Sequence, residues 1–278
     1  MYVGILTGPF SDTPFEKVVK WAGENGITAL EAAAGPGSKH IDTEKVVKGG
    51  AAKVKAVLKK EGVRLSSLAH YQNLLDPDPE KRKAACDSMK LTIDAAAALG
   101  VDVVCTMAGM PVPGKDKMRT INEDFAAVWP PMARYAKKRG VKIAFENWYA
   151  TLLQGLDCWE RVFSIASDDN VGLNFDPSHL YWMQVDYLEA VTQFGKRIFH
   201  THAKDTEVRC DRLRKVGVLG GGWWRYCIPG YGKIHWAEYI ARLKSVGYDG
   251  VLSIEHEDHL MGREEGFIKG RQHLEQFI

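Results

Sequence analysis

The chain has no long hydrophobic run, no paired cysteines and almost no excess of charge. Its five cysteines are scattered without a CxxC pair, which favours reduced thiols over a disulfide framework. No stretch reaches the length needed to cross a bilayer, and the N-terminus "MYVGILTGPF" has no basic region before an apolar run. These absences predict a cytoplasmic protein with no membrane partner.

The charge balance also excludes some partners. A formal net charge of +2 over 278 residues gives no general attraction to nucleic acid or anionic lipid. Hydrophobic residues make up 45% and charged residues 26%, as expected for a soluble protein with a sizeable core. The first strand–helix turn, "LTGPFSDT", lacks the GxGxxG fingerprint, which argues against an open dinucleotide-binding sheet.

Eight β-rich runs alternate with segments of helical periodicity. Several of the helical segments end in glycine just before the next strand, where a left-handed C-cap is expected. Eight strand–helix repeats without a linker predict a single-domain (β/α)8 TIM barrel spanning residues 1–278. The predicted strands cover 2–8, 27–33, 63–70, 101–109, 141–147, 171–177, 197–205 and 250–258.

One connection is much longer than the others. Residues 206–233 follow the seventh strand and contain three consecutive glycines and the cluster "WWRY". Loops of this length in a compact domain are usually lids, binding loops or interfaces. We therefore expect an irregular segment that either covers the site with aromatic rings or contacts another subunit.

Four of the predicted strands end in residues that can bind a metal: Glu146, Asp176, His202 and Glu255. The C-terminal strand ends of such a barrel meet at one mouth, where active sites lie. A small or polar residue stands two positions before each of the four, so a shared inward face is plausible from strand parity. We therefore expect the four side chains to point inward together.

Three converging carboxylates would repel one another unless their pKa values rose or a cation joined them. Oxygen-rich ligands with one imidazole suit one divalent metal ion, with Mn²⁺ preferred and Mg²⁺, Co²⁺ or Zn²⁺ as alternatives. His200 lies one pleat deeper than His202 and competes with it as the nitrogen ligand. Glu31, at the end of the second strand, is either a substrate contact or structural.

The motifs "AFENW", "NFDPSHL", "HTHAKD" and "LSIEHED" resemble the strand ends of the xylose isomerase-like TIM barrels. The resemblance covers nearly the whole chain and implies a metal-dependent enzyme acting on a small sugar or keto-sugar. It implies Glu146, Asp176, His202 and Glu255 as metal ligands, with Glu146 and Glu255 also acting as the catalytic acid/base pair. It further implies that His179 and Arg209 contact substrate and that the chain forms a dimer or tetramer.

Two other aromatic or basic residues are predicted at the substrate site. His70 ends the third strand and is interpreted either as a contact to a substrate hydroxyl or as an internally bonded histidine. Trp148 follows the strand end at Glu146 and is expected to form a wall of the pocket.

The predicted site can catalyse more than one reaction. Proton abstraction beside a carbonyl, through a metal-stabilised enediolate, leads to epimerisation or isomerisation, which is the first hypothesis. Loss of a β-substituent from the same site gives the alternative, a keto-sugar dehydratase or 3-keto-glycoside lyase. A DNA-repair activity of the endonuclease IV type is a remote alternative, because "CTMAGMP" lacks a histidine and the basic excess is small.

Overall fold

Eight parallel strands close into a barrel because the first strand pairs with both the second and the last. The computed structural model describes residues 1–278. The barrel strands are β1 (Tyr2–Leu6), β2 (Ala29–Gly35), β4 (Arg64–Ala69), β5 (Val103–Met107), β6 (Lys142–Glu146), β7 (Val171–Phe175), β8 (Ile198–Ala203) and β11 (Val251–Ile254), and the short β3 (Ile41–Asp42) extends the edge beside β2. The predicted (β/α)8 TIM barrel is confirmed.

Helices surround the barrel and connect successive strands. They are α1 (Phe15–Glu24), α2 (Thr43–Lys45), α3 (Ala51–Lys60), α4 (Pro79–Leu99), α5 (Lys117–Thr120), α6 (Ala126–Lys137), α7 (Leu156–Ile165), α8 (Pro177–Trp182), α9 (Tyr187–Phe194), α10 (Cys210–Val216), α11 (Trp236–Ser245) and α12 (Arg263–Leu274). None of these helices has the length and apolar composition of a membrane span.

The longer helices bury one face against the strands because their apolar residues recur at helical spacing. In α11 the buried residues are Trp236, Tyr239, Ile240 and Leu243, which follow the i, i+3, i+4, i+7 pattern. Each strand–helix unit thereby contributes to one continuous apolar layer between strands and helices. The barrel interior differs, since it contains buried polar groups such as Ser67, Asn174 and His200.

The chain between β8 and α11 is ordered, which corrects the expectation of an irregular segment over 206–233. Strands β9 (Asp205–Val208) and β10 (Trp224–Cys227) form an antiparallel pair, and α10 lies between them. The Asp205 carboxylate accepts hydrogen bonds from the backbone of Gly230 and Ile234 and from the indole of Trp236. This buried carboxylate therefore fixes the return of the segment to the barrel.

The predicted strand positions are correct, but their ends are not. Strand β11 stops at Ile254, four residues before the predicted end at 258, so Glu255 lies just beyond it. Strand β1 stops at Leu6 because the chain turns into a 3₁₀ turn over Gly8–Phe10. The predicted left-handed glycine caps are present, as at Gly100, which ends α4 with φ 74°.

Replacement of Gly172 by alanine is expected to destabilise the barrel. A Cβ atom there would overlap the carbonyl oxygen of Arg197 and lie 2.6 Å from Cε2 of Phe199, in the neighbouring strand β8. Overpacking of this kind costs about 1–3 kcal/mol of unfolding free energy. Urea denaturation should show this loss for Gly172→Ala. The control Gly221→Ala, whose Cβ would meet no atom within 4 Å, should leave stability nearly unchanged.

Candidate active site

The four predicted metal ligands come together at the C-terminal mouth of the barrel. Glu146 is the last residue of β6, His202 lies near the end of β8, and Asp176 and Glu255 directly follow β7 and β11. Nδ1 of His202 lies 3.1 Å from Glu255 Oε2, 3.4 Å from Glu146 Oε1 and 4.0 Å from Asp176 Oδ2. The strand parity in the sequence therefore placed these side chains on one face.

The two oxygens of Asp176 face different surroundings. Oδ1 accepts a hydrogen bond from the backbone nitrogen of Ser178 at 2.8 Å, which caps the N-terminus of α8. Oδ2 is buried, makes no hydrogen bond, and faces the cluster, where the Lys204 ammonium lies 3.2 Å away. One oxygen thus fixes the start of the helix, and the other is available as a ligand.

His179 enters the same cluster from α8. Its Nε2 lies 3.3 Å from Glu146 Oε1 and 3.4 Å from Asp176 Oδ2, and its Nδ1 lies 2.6 Å from the hydroxyl of Tyr226. Single ligand atoms of Glu146, Asp176, His179 and Glu255 all lie within 4.8 Å of one another. His179, predicted to contact substrate, is therefore a second candidate for the nitrogen ligand.

Glu31 lies behind His202 and orients its ring. This carboxylate is fully buried, and its Oε2 lies 3.0 Å from His202 Nε2 and accepts a hydrogen bond from Ser253 at 2.9 Å. Tyr71 donates to its other oxygen at 3.1 Å. Because Glu31 holds Nε2, Nδ1 is the ring atom turned toward the three carboxylates. These contacts favour a structural role for Glu31 over direct contact with substrate.

His200 lies deeper in the barrel than His202. Its Nδ1 is 2.9 Å from Asn174 Oδ1, and its Nε2 is 3.2 Å from the hydroxyls of Ser66 and Ser67. Burial lowers the pKa of His200 to about 4, despite its proximity to Glu31. Both ring nitrogens thus have partners below the carboxylate cluster.

Lys204 is a component of the cluster that the sequence reasoning missed. Its buried ammonium lies 2.5 Å from Glu255 Oε2, 3.2 Å from Asp176 Oδ2 and 2.9 Å from Glu257 Oε2. The available signal was parity, because Lys204 stands two residues after His202. A lysine beside acidic strand ends was not distinguished from the many lysines on solvated helix faces.

Electrostatics in this cluster are dominated by attraction between buried groups of opposite charge. Burial alone would raise the pKa of Glu255, but attraction to Lys204 and His202 outweighs it and lowers the pKa to about 2. Burial would lower the pKa of His202, yet Glu31 and Glu255 raise it well above its usual value. Glu255 is thus ionised, and the cluster favours cations.

Arg209 and His70, two further predicted substrate contacts, differ in exposure and in their partners. Arg209 is half exposed and lines a cavity of about 340 Å³ together with Tyr226 and Glu257. His70 is buried, with Nδ1 3.1 Å from the carbonyl oxygen of Ala34 and 3.3 Å from the Thr92 hydroxyl, and its Nε2 has no partner.

Trp148 is half-buried, and its ring lies 6.0 Å from that of Tyr149. Tyr149, rather than Trp148, lines a cavity at the mouth and approaches the His179 ring at 6.2 Å. The sequence reasoning missed Tyr149, although it directly follows Trp148 in the motif "ENWY".

The residues present fit a divalent metal. Two buried atoms in the carboxylate cluster, Asp176 Oδ2 and His202 Nδ1, make no hydrogen bond. Their nearest charged neighbours are the Lys204 ammonium, 3.2 Å from Oδ2, and Glu255 Oε2, 3.1 Å from Nδ1. Three carboxylates with one or two imidazoles are hard, oxygen-rich ligands of the kind that divalent cations bind. A metal held by Glu146, Asp176, His202 and Glu255 would take both of these atoms as ligands.

The closed barrel, with a polar mouth of the kind at which (β/α)8 enzymes have their active sites, defines the class of protein. Comparison with known proteins identifies the family. The family model of the xylose isomerase-like TIM barrel matches residues 19–277, and the chain belongs to that family. It is 29% identical to the uncharacterized protein YfiH of Bacillus subtilis, over all of this chain and 99% of that protein.

Two named enzymes and one zinc-bound protein also resemble the chain. An inosose dehydratase of Clostridium perfringens is 27% identical, but the alignment covers 51% of this chain and only half of that protein. The structure of the IolI protein with a bound zinc atom superposes with a TM-score of 0.78 at 18% identity, over 100% of this chain and 99% of that one. The 3-keto-D-glucoside 4-epimerase YcjR of E. coli gives 0.76 at 14% identity, over 99% of each chain. At such identities the two structures establish the fold alone.

Substitution Glu31→Gln is expected to weaken metal binding by about 10–100-fold, because losing the charge that orients a ligating histidine has effects of this size. Titration calorimetry with Mn²⁺ measures the change directly and requires no substrate. The matched control is Asp94→Asn, a carboxylate that also accepts from a tyrosine hydroxyl, that of Tyr135, but lies on outer helix α4. Unchanged Mn²⁺ affinity in Glu31→Gln would contradict the positioning role.

Proposed function

We propose that this protein is a sugar epimerase or isomerase that depends on a divalent metal and removes the proton next to a carbonyl group. The observation that carries this proposal is the meeting of Glu146, Asp176, His202 and Glu255 at one mouth. The likeness to an inosose dehydratase and to a keto-glucoside epimerase supports a sugar or keto-sugar as the substrate class.

The metal would be held by Glu146, Asp176, His202 and Glu255, with His179 beside it. Bound there, a divalent ion would act as a Lewis acid that polarises a substrate carbonyl and stabilises developing negative charge on its oxygen. Mn²⁺ is the preferred ion, with Mg²⁺, Co²⁺ and Zn²⁺ as alternatives. Glu31 would keep the His202 ring in the ligating orientation through Nε2.

Glu146 and Glu255 form the proposed acid/base pair. They come from β6 and from the end of β11, with β7 and β8 between them in the barrel, so they approach the centre from different sides. The lowered pKa values keep both ionised, which is the form a base requires. The carboxylate that removes the substrate proton thereby becomes the acid that can return a proton to the neighbouring carbon, and for inversion the opposite carboxylate must first take up a proton from solvent. The Lys204 ammonium weakens the basicity of Glu255, so a substrate that displaces it would raise that basicity.

Polar side chains around the mouth can orient substrate oxygens. His179 lies beside the carboxylates, and its hydrogen-bond partner Tyr226 lines the adjoining cavity with Arg209. We assign His179 and Arg209 to substrate hydroxyls and retain His70 and Trp148 as weaker candidates. A ring with several hydroxyls matches this mixture of donors and acceptors.

Elimination is the second candidate reaction. Two observations favour it: the identity to an inosose dehydratase and the buried ammonium of Lys204. In that reaction a glutamate removes the proton next to the carbonyl, the bond to the β-oxygen breaks, and Lys204 supplies a proton to the departing oxygen. The same carboxylate pair serves both reactions, so the fate of the substrate separates them.

The proposal is tested with Mn²⁺-loaded protein, free ketoses and 3-keto-glucosides in D₂O. We expect NMR to show deuterium at the carbon beside the carbonyl, because the base exchanges the abstracted proton with solvent. Exchange without an enone absorbance supports epimerisation or isomerisation, and enone formation supports elimination. Failure to exchange on every sugar with Mn²⁺, Mg²⁺, Co²⁺ and Zn²⁺ would disprove the proposed proton abstraction.

Substitution Glu255→Gln is expected to lower kcat for exchange by about 10²–10⁴, the usual contribution of a general base. Glu257→Gln is the matched control, because Glu257 also contacts Lys204 but is 45% exposed and lies outside the carboxylate–histidine cluster. The fall in kcat for Glu257→Gln should stay below about tenfold. Mn²⁺ calorimetry on both variants separates lost chemistry from lost metal. A fully active Glu255→Gln protein contradicts the assigned role.

A further inference from the structure

A second cavity lies at the same mouth and has no role in the proposed proton transfer. Its volume is about 490 Å³, and its walls come from the segments after β6, after α8 and between α10 and β10. Tyr149, Met183, Val185, Leu219 and Trp223 are among the lining residues, and no lining side chain is charged. Cavities of about 300–1,000 Å³ with apolar and aromatic walls commonly bind small molecules.

The side chain of Trp182 connects this cavity to the carboxylate cluster. Its ring lines the cavity and stacks on Trp224 with centroids 4.3 Å apart and planes 7° apart. Its indole N–H donates to the Tyr226 hydroxyl at 3.3 Å, and that hydroxyl lies 2.6 Å from His179. The stacked rings thus separate the apolar cavity from the polar cavity of about 340 Å³ that Arg209 lines.

The edge of the cavity has two unusual features. Gln184, which lines it, has a φ of 60° and is the single residue other than glycine with positive φ. Such strain persists where a site requires it. The second feature is the exposure of two apolar rim side chains, Leu219 at 100% and Val218 at 59%. Exposed apolar side chains around a cavity favour binding of an apolar group.

We propose that this cavity binds the aglycone of a keto-glycoside whose sugar ring lies at the carboxylate cluster. This proposal rests on the proposed sugar chemistry and extends it to a substrate class. The uncharged lining disfavours a phosphate or carboxylate occupant, because no lining side chain would pair with it. The Lys117 ammonium beside the cavity already donates to the Tyr149 carbonyl oxygen and to Gln154 Oε1. Tyr149, Trp182 and Trp223 offer ring faces and edges to a neutral aromatic or apolar group.

The test is calorimetry with 4-nitrophenyl β-glucoside and methyl β-glucoside, which share the sugar and differ in the aglycone. We expect the aryl glucoside to bind at least about tenfold more tightly, because its ring leaves water for an apolar cavity. Val218→Trp, which places an indole over the opening, and Leu219→Ser should each reduce this preference to about threefold or less. Val47→Ser, at another exposed apolar position that lies outside the cavity, is the control and should retain the preference.

Several results would overturn the proposal. These are equal affinity for the two glucosides, no binding of either, or a preference that both cavity variants retain. A fall in the molar mass of Leu219→Asp by light scattering would instead identify the cavity rim as a subunit contact. Calorimetry needs no turnover, so aryl preference without deuterium exchange on any keto-sugar would disprove the reaction alone. Exchange without aryl preference would disprove the aglycone site alone.

Discussion

The concentration of negative charge at the barrel mouth is the constraint on which the rest of the site depends. Carboxylates from separate strands meet there in a buried space, and their mutual repulsion must be offset by cations. Lys204 and His202 provide this balance within the chain. A divalent ion would provide it more fully, because it would also bind Asp176 Oδ2, which makes no hydrogen bond. The cation nearest Glu255 therefore sets the charge balance of the cluster.

A second layer of buried polar groups in the barrel stabilises this arrangement. Glu31, Tyr71 and Ser253 lie beneath His202 and hold its ring from the side away from the mouth. Such a layer restricts the orientation of the imidazole before any ligand arrives. The polar barrel interior is thus part of the site, while the apolar layer between strands and helices supplies the stability.

The segment between β8 and α11 adds aromatic side chains to the mouth of the barrel. Its strand β10 carries Trp224 and Tyr226, and these rings join Trp182 and His179 in one connected group. Asp205 fixes the segment from below by bonding to backbone groups on its return path. The result is a mouth with a polar side and an apolar side, and we interpret the two sides as binding different parts of one substrate.

The sequence alone determined the fold and the four side chains that converge at the mouth. Strand–helix alternation repeated eight times leaves few architectures, and strand parity tells which side chains share a face. The pattern could not determine the strand ends, because hydrogen bonding across neighbouring strands stops β11 at Ile254. The pattern also did not predict that Lys204 and Tyr149 lie at the site.

Tertiary structure alone decided the partners of Glu31, Lys204 and Tyr226. Their contacts join residues far apart in the chain, as with Glu31 and His202, which are separated by 171 positions. Local periodicity reports which face a side chain occupies, but not which distant side chain lies opposite. That depends on strand register and on how each loop returns across the mouth, and both are set only when the barrel closes.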